Sequence, residues 1–182
     1  MRIRKARTFD VNRIKSLADA LAVGPNDSNK ISGFYNYSLN GQQYLNRIFS
    51  YFSYVAESKE ELEGFCMAYD TDFLQDLIKR EDKLKDDSIS KYLVELNTPL
   101  VYIDQLAVRE PGTTIGSLAA YYLRENLTDD AKKSGIPSIL CAVSHKPWKN
   151  ILSIRFCKKS NFEFQQEINS NGTTLGIYKL NL

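Results

Sequence analysis

Residues 100–118 (Leu-Val-Tyr-Ile-Asp-Gln-Leu-Ala-Val-Arg-Glu-Pro-Gly-Thr-Thr-Ile-Gly-Ser-Leu) limit the fold more than any other stretch of this 182-residue chain. Apart from Asp104 and Gln105, residues 100–108 are β-branched, aliphatic or aromatic, which suits a strand covered on both faces. Pro111 and Gly112 stop it, because proline has no N–H for the ladder and glycine permits a sharp turn. From Thr113 onward, Ile115, Leu118, Ala119, Tyr122 and Leu123 recur at helical spacing. A strand therefore runs through a short loop of small residues straight into a helix. The first turn of that helix has unpaired amides at the positive end of a dipole, and the small side chains of Gly112, Gly116 and Ser117 let a phosphate approach them. The plainer alternative is a strand–helix crossover whose glycines serve only the turn.

Two nucleotide motifs are excluded. The sequence has no Gly-x-x-x-x-Gly-Lys-Ser/Thr run, and residues 112–116 lack the Gly-x-Gly-x-x-Gly spacing of a dinucleotide loop. Composition narrows the class further. With 43% hydrophobic and 25% charged residues the chain reads as globular, and a net charge of +2 argues for neither a nucleic-acid nor a membrane partner. No stretch has the apolar length of a bilayer span. Residues 1–7 are basic but lead into no apolar signal core, so a cytoplasmic location is expected. The three cysteines, Cys66, Cys141 and Cys157, lack metal-ligand spacing and sit among apolar residues, as reduced and mostly buried thiols do. His145 is the single histidine, which leaves little room for a zinc site, and no metal is expected.

Along the chain, residues 3–7 read as a short strand, and Asp10 as the cap of a helix carrying Val11, Ile14, Leu17, Ala18 and Leu21. Residues 24–27 end it. An aromatic run at 30–39 has no steady period, and either covers a core or lines a pocket. A second helix starts near Asn40–Gly41. Residues 51–56 and 62–69 are two strand-like runs joined by a polar turn. Residues 70–96 show apolar recurrences at helical intervals, broken near 86–88, with a solvated charged face. After the central strand and helix, Gly135 reads as a C′ glycine, 137–144 as a buried strand, Asn150 as the cap of a helix over 151–159, and 162–182 as a hairpin turning at 169–172.

Three of these blocks carry a family resemblance. Leu106-Ala107-Val108 leading to Ile115-Gly116-Ser117 resembles the strand–loop–helix of the GNAT superfamily, the acyl-CoA-dependent N-acyltransferases. In that family a strand ending Leu-x-Val enters an Arg/Gln-x-x-Gly-x-Gly/Ala loop whose amides hold the CoA diphosphate. Here Pro111 stands where Arg or Gln is usual and Thr114 replaces the first motif glycine, so a side-chain phosphate contact is lost while the backbone cradle survives. Asn150, Ser153, Phe156, Lys159 and Phe162 fall in register with the family's late block; Asn161 takes its glycine position and Cys157 its tyrosine position. Residues 57–65 resemble the family's second hairpin, and the element order along the chain is the family's order. The resemblance implies a mixed α/β sheet of about seven strands with helices on both faces, in one domain over 1–182, with 70–97 as a helical insert between the third and fourth strands.

It also implies a chemistry, transfer of an acetyl group from acetyl-CoA to a primary amine by direct attack. The acceptor would be a small-molecule or peptide amine, the protein a monomer or homodimer. By this resemblance the edge of Leu106, Ala107 and Val108 pairs with the pantetheine arm, the amides of Gly112, Thr113, Thr114, Ile115, Gly116 and Ser117 hold the diphosphate, and Asn150 touches the arm from the other side. Tyrosine usually protonates the leaving thiolate; Cys157 stands in its place, as a thiol donor or as a small buried hydrophobe. For a base, Asp104 shares a strand face with Tyr102 and Leu106 by period two, and His145, at the end of the neighbouring strand, offers an imidazole, the side chain most used in proton transfer. Phe34, Tyr35 and Tyr37 wall the acceptor side or simply cover a core. The altered loop and missing tyrosine leave a second reading open, a catalytically degenerate module that binds CoA or serves regulation.

Overall fold

The computed structural model describes residues 1–182 except 25, 26, 28, 29, 36 and 38, so parts of the turn expected at 24–27 and of the aromatic run at 30–39 lie outside the described residues. Seven strands form one sheet: β1 (Arg2–Lys5), β4 (Tyr54–Ser58), β5 (Glu61–Asp70), β6 (Val101–Val108), β7 (Ser138–Lys146), β9 (Thr173–Asn181) and β8 (Glu163–Ser170), in that spatial order. Every neighbouring pair is antiparallel except β6 and β7. Two short strands, β2 (Ala22–Val23) and β3 (Phe34–Tyr35), pair parallel to each other outside this sheet; no period in their residues announces them.

Helices cover both faces, as expected. On one face α5 (Thr114–Lys133) and α6 (Ile151–Lys159) pack over Val101, Ile103, Ile139, Cys141 and Tyr178. Ala119, Leu123, Leu127 and Ala131 of α5 lose all contact with solvent, and burying a leucine stabilises by about 1.5–3 kcal/mol. On the other face α1 (Val11–Ala20) and α2 (Gly41–Ile48) enclose Phe65 and Met67, while α3 (Thr71–Arg80) and α4 (Ser88–Glu95) enclose Tyr69, Tyr102 and Leu140. The break foreseen near 86–88 is real: a 3-10 turn (Asp82–Lys85) separates α3 from α4, and the Asp87 carboxylate caps α4 by accepting from Ser90 N. No helix among the described residues is long and apolar enough to cross a membrane.

One expected cap is different. Asp10 makes no side-chain cap to α1; its buried carboxylate instead accepts from Arg4 (2.7 and 2.9 Å) and from Arg7 N (2.9 Å). A charged guanidinium is a stronger partner than a helix amide, so the carboxylate is drawn towards β1. The second helix begins at Gly41, as expected, and Asn40 caps it in a reciprocal pair with Gln43. The three cysteines are free and buried.

Candidate active site

The only parallel pair in the sheet is also the shortest for its strand lengths. Val101, Tyr102 and Ile103 of β6 pair with Ile139, Leu140 and Cys141 of β7, and there the ladder ends. β6 continues to Val108 and β7 to Lys146, so their C-terminal halves diverge and leave a wedge-shaped gap with a free strand edge on each side. The divergence begins at a bulge. On the other edge of β6, Met67 pairs with Gln105 and Ala68 with Ile103, which leaves Asp104 as the extra residue. A bulged strand bends and twists more strongly than a regular one.

The bulge corrects the period-two placement of Asp104. An extra residue shifts the alternation, so Tyr102 faces the α3–α4 core and Ala107 the α1–α2 core, whereas Leu106 and Val108 face α5 and α6. Asp104 shares no face with Leu106. Its carboxylate is directed at α2, where Arg47 Nε donates to Oδ2 at 2.6 Å, and Tyr37 OH donates to Oδ1 at 2.7 Å. Arg47, 1% exposed, also donates to Glu81 Oε1 (2.8 Å) and Gln43 O (3.0 Å). Burial works most strongly against the Arg47 charge, but the Asp104 carboxylate, Tyr37 and Tyr69 together outweigh it and drive the pKa upward. Both Asp104 oxygens are thus engaged, Oδ2 fastening the bulge to α2 and Oδ1 holding Tyr37. Tyr69 and Tyr102 stand close by, their phenols pushed well above the ordinary range by burial and then by the Asp104 charge, so both keep their protons near neutrality.

Beyond the gap, Gly112 adopts φ 87°, a left-handed turn that suits glycine. Thr113 then caps α5: its hydroxyl accepts from Gly116 N (3.1 Å) and donates to Glu110 O (2.9 Å). Gly116 is required for packing, since a Cβ there would collide with the Glu110 carbonyl. Ser117 N donates to Thr113 O (2.9 Å). The expected cradle of six amides is therefore narrower. Those of Thr113, Gly116 and Ser117 are already used, and among the described residues those of Gly112, Thr114 and Ile115 find no acceptor. Thr114 and Ile115 are exposed, so these two amides face solvent at the start of α5.

The α6 side is more occupied than the sequence implied. Asn150 caps α6 by accepting from Ser153 N (3.0 Å), as read, but its amide group also donates to Gly33 O (3.0 Å). Trp148 Nε1 donates to Lys30 O (2.8 Å), and Leu152 N to Ile31 O (3.1 Å). Residues 30–33 are thus strapped across the beginning of α6. Tyr35 stacks on Trp148 with centroids 6.1 Å apart, Phe34 packs near Phe65, and Tyr37 reaches Asp104. The aromatic run lines the gap with Tyr37 and closes over core with Phe34. Trp148, Lys30 and Gly33 were missed because each contact joins a side chain beside α6 to a backbone carbonyl far away along the chain, which no local pattern records.

Cys157 is 2% exposed, with its Sγ 3.6 Å from Cys141 Sγ. That contact, together with burial, pushes the Cys141 thiol well up. Cys157 lies inside the α5–α6 core, as a small hydrophobe does. His145 is fixed on the opposite edge of β7 from the gap: Nδ1 is 2.8 Å from Glu167 Oε1 on β8, Nε2 is 3.0 Å from Tyr178 OH on β9, and its ring covers Gly176. Of the three acid–base candidates, then, one is an anchor at the gap, one a core residue, and one a cross-strand bridge away from it.

No protein-family model matches the sequence, and no curated protein does. Solved structures do. The whole chain superposes on Arabidopsis thaliana Naa50 in complex with the bisubstrate analogue CoA-Ac-MVNAL, at TM-score 0.65 and 19% identity over 98% of that chain. This is the GNAT fold. Ard1 from Thermoplasma volcanium matches at TM-score 0.69 and 13% identity, covering all of this chain and 97% of that one. Drosophila melanogaster polyamine N-acetyltransferase, whose reaction forms N-acetylagmatine, matches at 0.61 and 10%, over all of this chain and 99% of its own. Within the GNAT fold the bulge at Asp104, the gap beyond Ile103 and the start of α5 follow one another along β6 and the loop that leaves it.

Proposed function

We propose that the chain is an acetyl-CoA-dependent N-acetyltransferase acting on a primary amine. One observation supports this above all others: two parallel strands that part after three residue pairs, beside a helix whose first amides are unpaired. The free β6 edge at Leu106, Ala107 and Val108 suits an extended amide-bearing chain such as pantetheine, which would add to the sheet as a strand does. The amides of Thr114 and Ile115 suit the diphosphate. In the reaction the amine nitrogen attacks the thioester carbonyl, the C–N bond forms, and the C–S bond breaks. The amine proton is lost to water, and the thiolate leaves to be protonated from solvent. A β6 backbone N–H would polarise the carbonyl, a fixed dipole aimed where negative charge develops.

The reading is tested by thermal shift and thiol release. Acetyl-CoA raises the unfolding midpoint, because a ligand of the folded state stabilises it by mass action, and a panel of peptide amines, polyamines and small amines finds one that releases free thiol. No midpoint shift at millimolar acetyl-CoA would sink the proposal. A second reading, a CoA-binding module without turnover, is favoured by the engaged state of Asp104, His145 and Cys157; binding with no thiol release across the panel would select it.

A further inference from the structure

Pro111 has no side-chain donor where the family resemblance places an Arg or Gln, so the diphosphate site would have amides but no cation. Arg109 does not fill the role, since its guanidinium is tied back to Leu62 O and Glu61 beside β5. The first turn of α5 carries no basic residue. A cleft of about 300 Å³ nevertheless opens beside the loop, with Pro111 and Leu152 on one wall and Leu21, Lys30 and Ile31 on the other. Lys30 is the one charged side chain lining it among the described residues. The cleft adjoins the cradle directly, because Leu152 Cδ1 lies 3.4 Å from where a Cβ on Gly112 would be.

The strap carrying Lys30 is held at three backbone carbonyls, while the ammonium makes contacts at the surface only. Trp148 Nε1 fixes Lys30 O, Leu152 N fixes Ile31 O, and Asn150 fixes Gly33 O. The strap needs glycine at 33, where φ is 144° and a Cβ would collide with Leu21 O and the Val23 side chain. Lys30 Nζ itself donates to one backbone carbonyl, Ala22 O at 3.0 Å, and stands 3.5 Å from Asp27 Oδ2, with the side chain half-exposed. A four-carbon stem and a surface carbonyl partner leave that ammonium free to swing to an anion.

We infer that Lys30, presented at the cleft by its strap, is the cationic contact for the CoA diphosphate and replaces the side chain lost at Pro111. The assignment rests on the reading under Proposed function. A charge-assisted contact of this kind changes affinity by about tenfold. Calorimetric titration with CoA should therefore give about tenfold weaker binding for Lys30→Ala and Lys30→Met, and near-native binding for Lys30→Arg, with the gap shrinking at high salt. The loss should persist with 3′-dephospho-CoA, which keeps the diphosphate. Trp148→Phe, which removes the donor to Lys30 O, should weaken CoA binding in the Lys30 protein and have no further effect in Lys30→Ala. Native affinity in Lys30→Met would overturn the assignment and leave the proposed function standing. Loss of the Lys30 effect with 3′-dephospho-CoA would overturn it too, by moving the contact to the 3′-phosphate. Wild-type protein that binds no CoA would remove the proposed function and this assignment together.

Discussion

The two edges of β7 have the same sequence behind them and opposite fates. Towards β9 it is paired from Ser138 to Lys146, with one irregularity near Ser144. Towards β6 it is paired over Ile139, Leu140 and Cys141 and then abandoned. The closed edge is made by a hairpin strand running antiparallel, further bridged by His145 between Glu167 and Tyr178. The open edge faces a strand bent by a bulge that Arg47 holds in place. An open edge inside a sheet persists only where something prevents the ladder from closing, because unpaired backbone groups favour pairing. In this molecule the bulge fastened by the buried Arg47–Asp104 pair stands at that point.

The largest test of that contrast is Arg47→Met. It strands two carboxylates, Asp104 and Glu81, in a buried site, and urea unfolding should show a loss of about 3–5 kcal/mol. A loss below about 1 kcal/mol would mean the bulge is held by something else. Gly116→Ala comes next, at about 2 kcal/mol, since its Cβ meets the Glu110 carbonyl. It should also weaken CoA binding by shifting the first turn of α5, while a native midpoint and native affinity would show that the turn has room to spare. Cys157→Ala should cost about 1 kcal/mol with thiol release unchanged, as fits a core residue; a large fall in turnover at native stability would return the thiol to the chemistry.

The closed edge should respond less. His145→Gln should reduce stability by no more than about 1 kcal/mol, since glutamine can keep one of the two hydrogen bonds, and leave CoA affinity untouched. A selective loss of CoA binding would extend the site to the far edge of β7. The smallest effect concerns acid. The hydrogen bond from His145 holds the Glu167 carboxyl below its usual range. A carboxyl depressed on folding contributes stability above its unfolded pKa of about 4.3, and loses it as pH falls through the lower folded value. Comparing urea midpoints of wild type and Glu167→Gln between neutral and strongly acid pH should show their difference narrowing as pH drops; a difference that widens would reverse the assignment.

Much of the architecture was legible because it is written in local periods. The apolar run of β6, the helical recurrence from Ile115 to Leu123, the break before α4 and the Asn150 cap each need only neighbours within a few residues. The candidate site was legible as backbone and obscure as side chains. Nothing within residues 100–108 distinguishes a regular strand from one bulged at Asp104, and period two therefore misplaced Leu106. The bulge is defined by Met67 and Ala68 across the ladder, and it is fastened by Arg47 from α2. The same holds for Lys30 and Pro111, which are remote in sequence and share a cleft.

By itself, then, the sequence determined which segments become strands and helices, their order, and that a helix with small residues in its first turn follows the central strand. Tertiary structure alone decided that β6 and β7 part company, which amides at Thr114 and Ile115 remain unpaired, and that Asp104, Cys157 and His145 have other partners. The physical reason is range. Propensity and periodicity act over a few residues, whereas a buried charge such as that of Arg47 is satisfied only by groups brought to it from α2, from β6 and from Glu81 just beyond α3 at once.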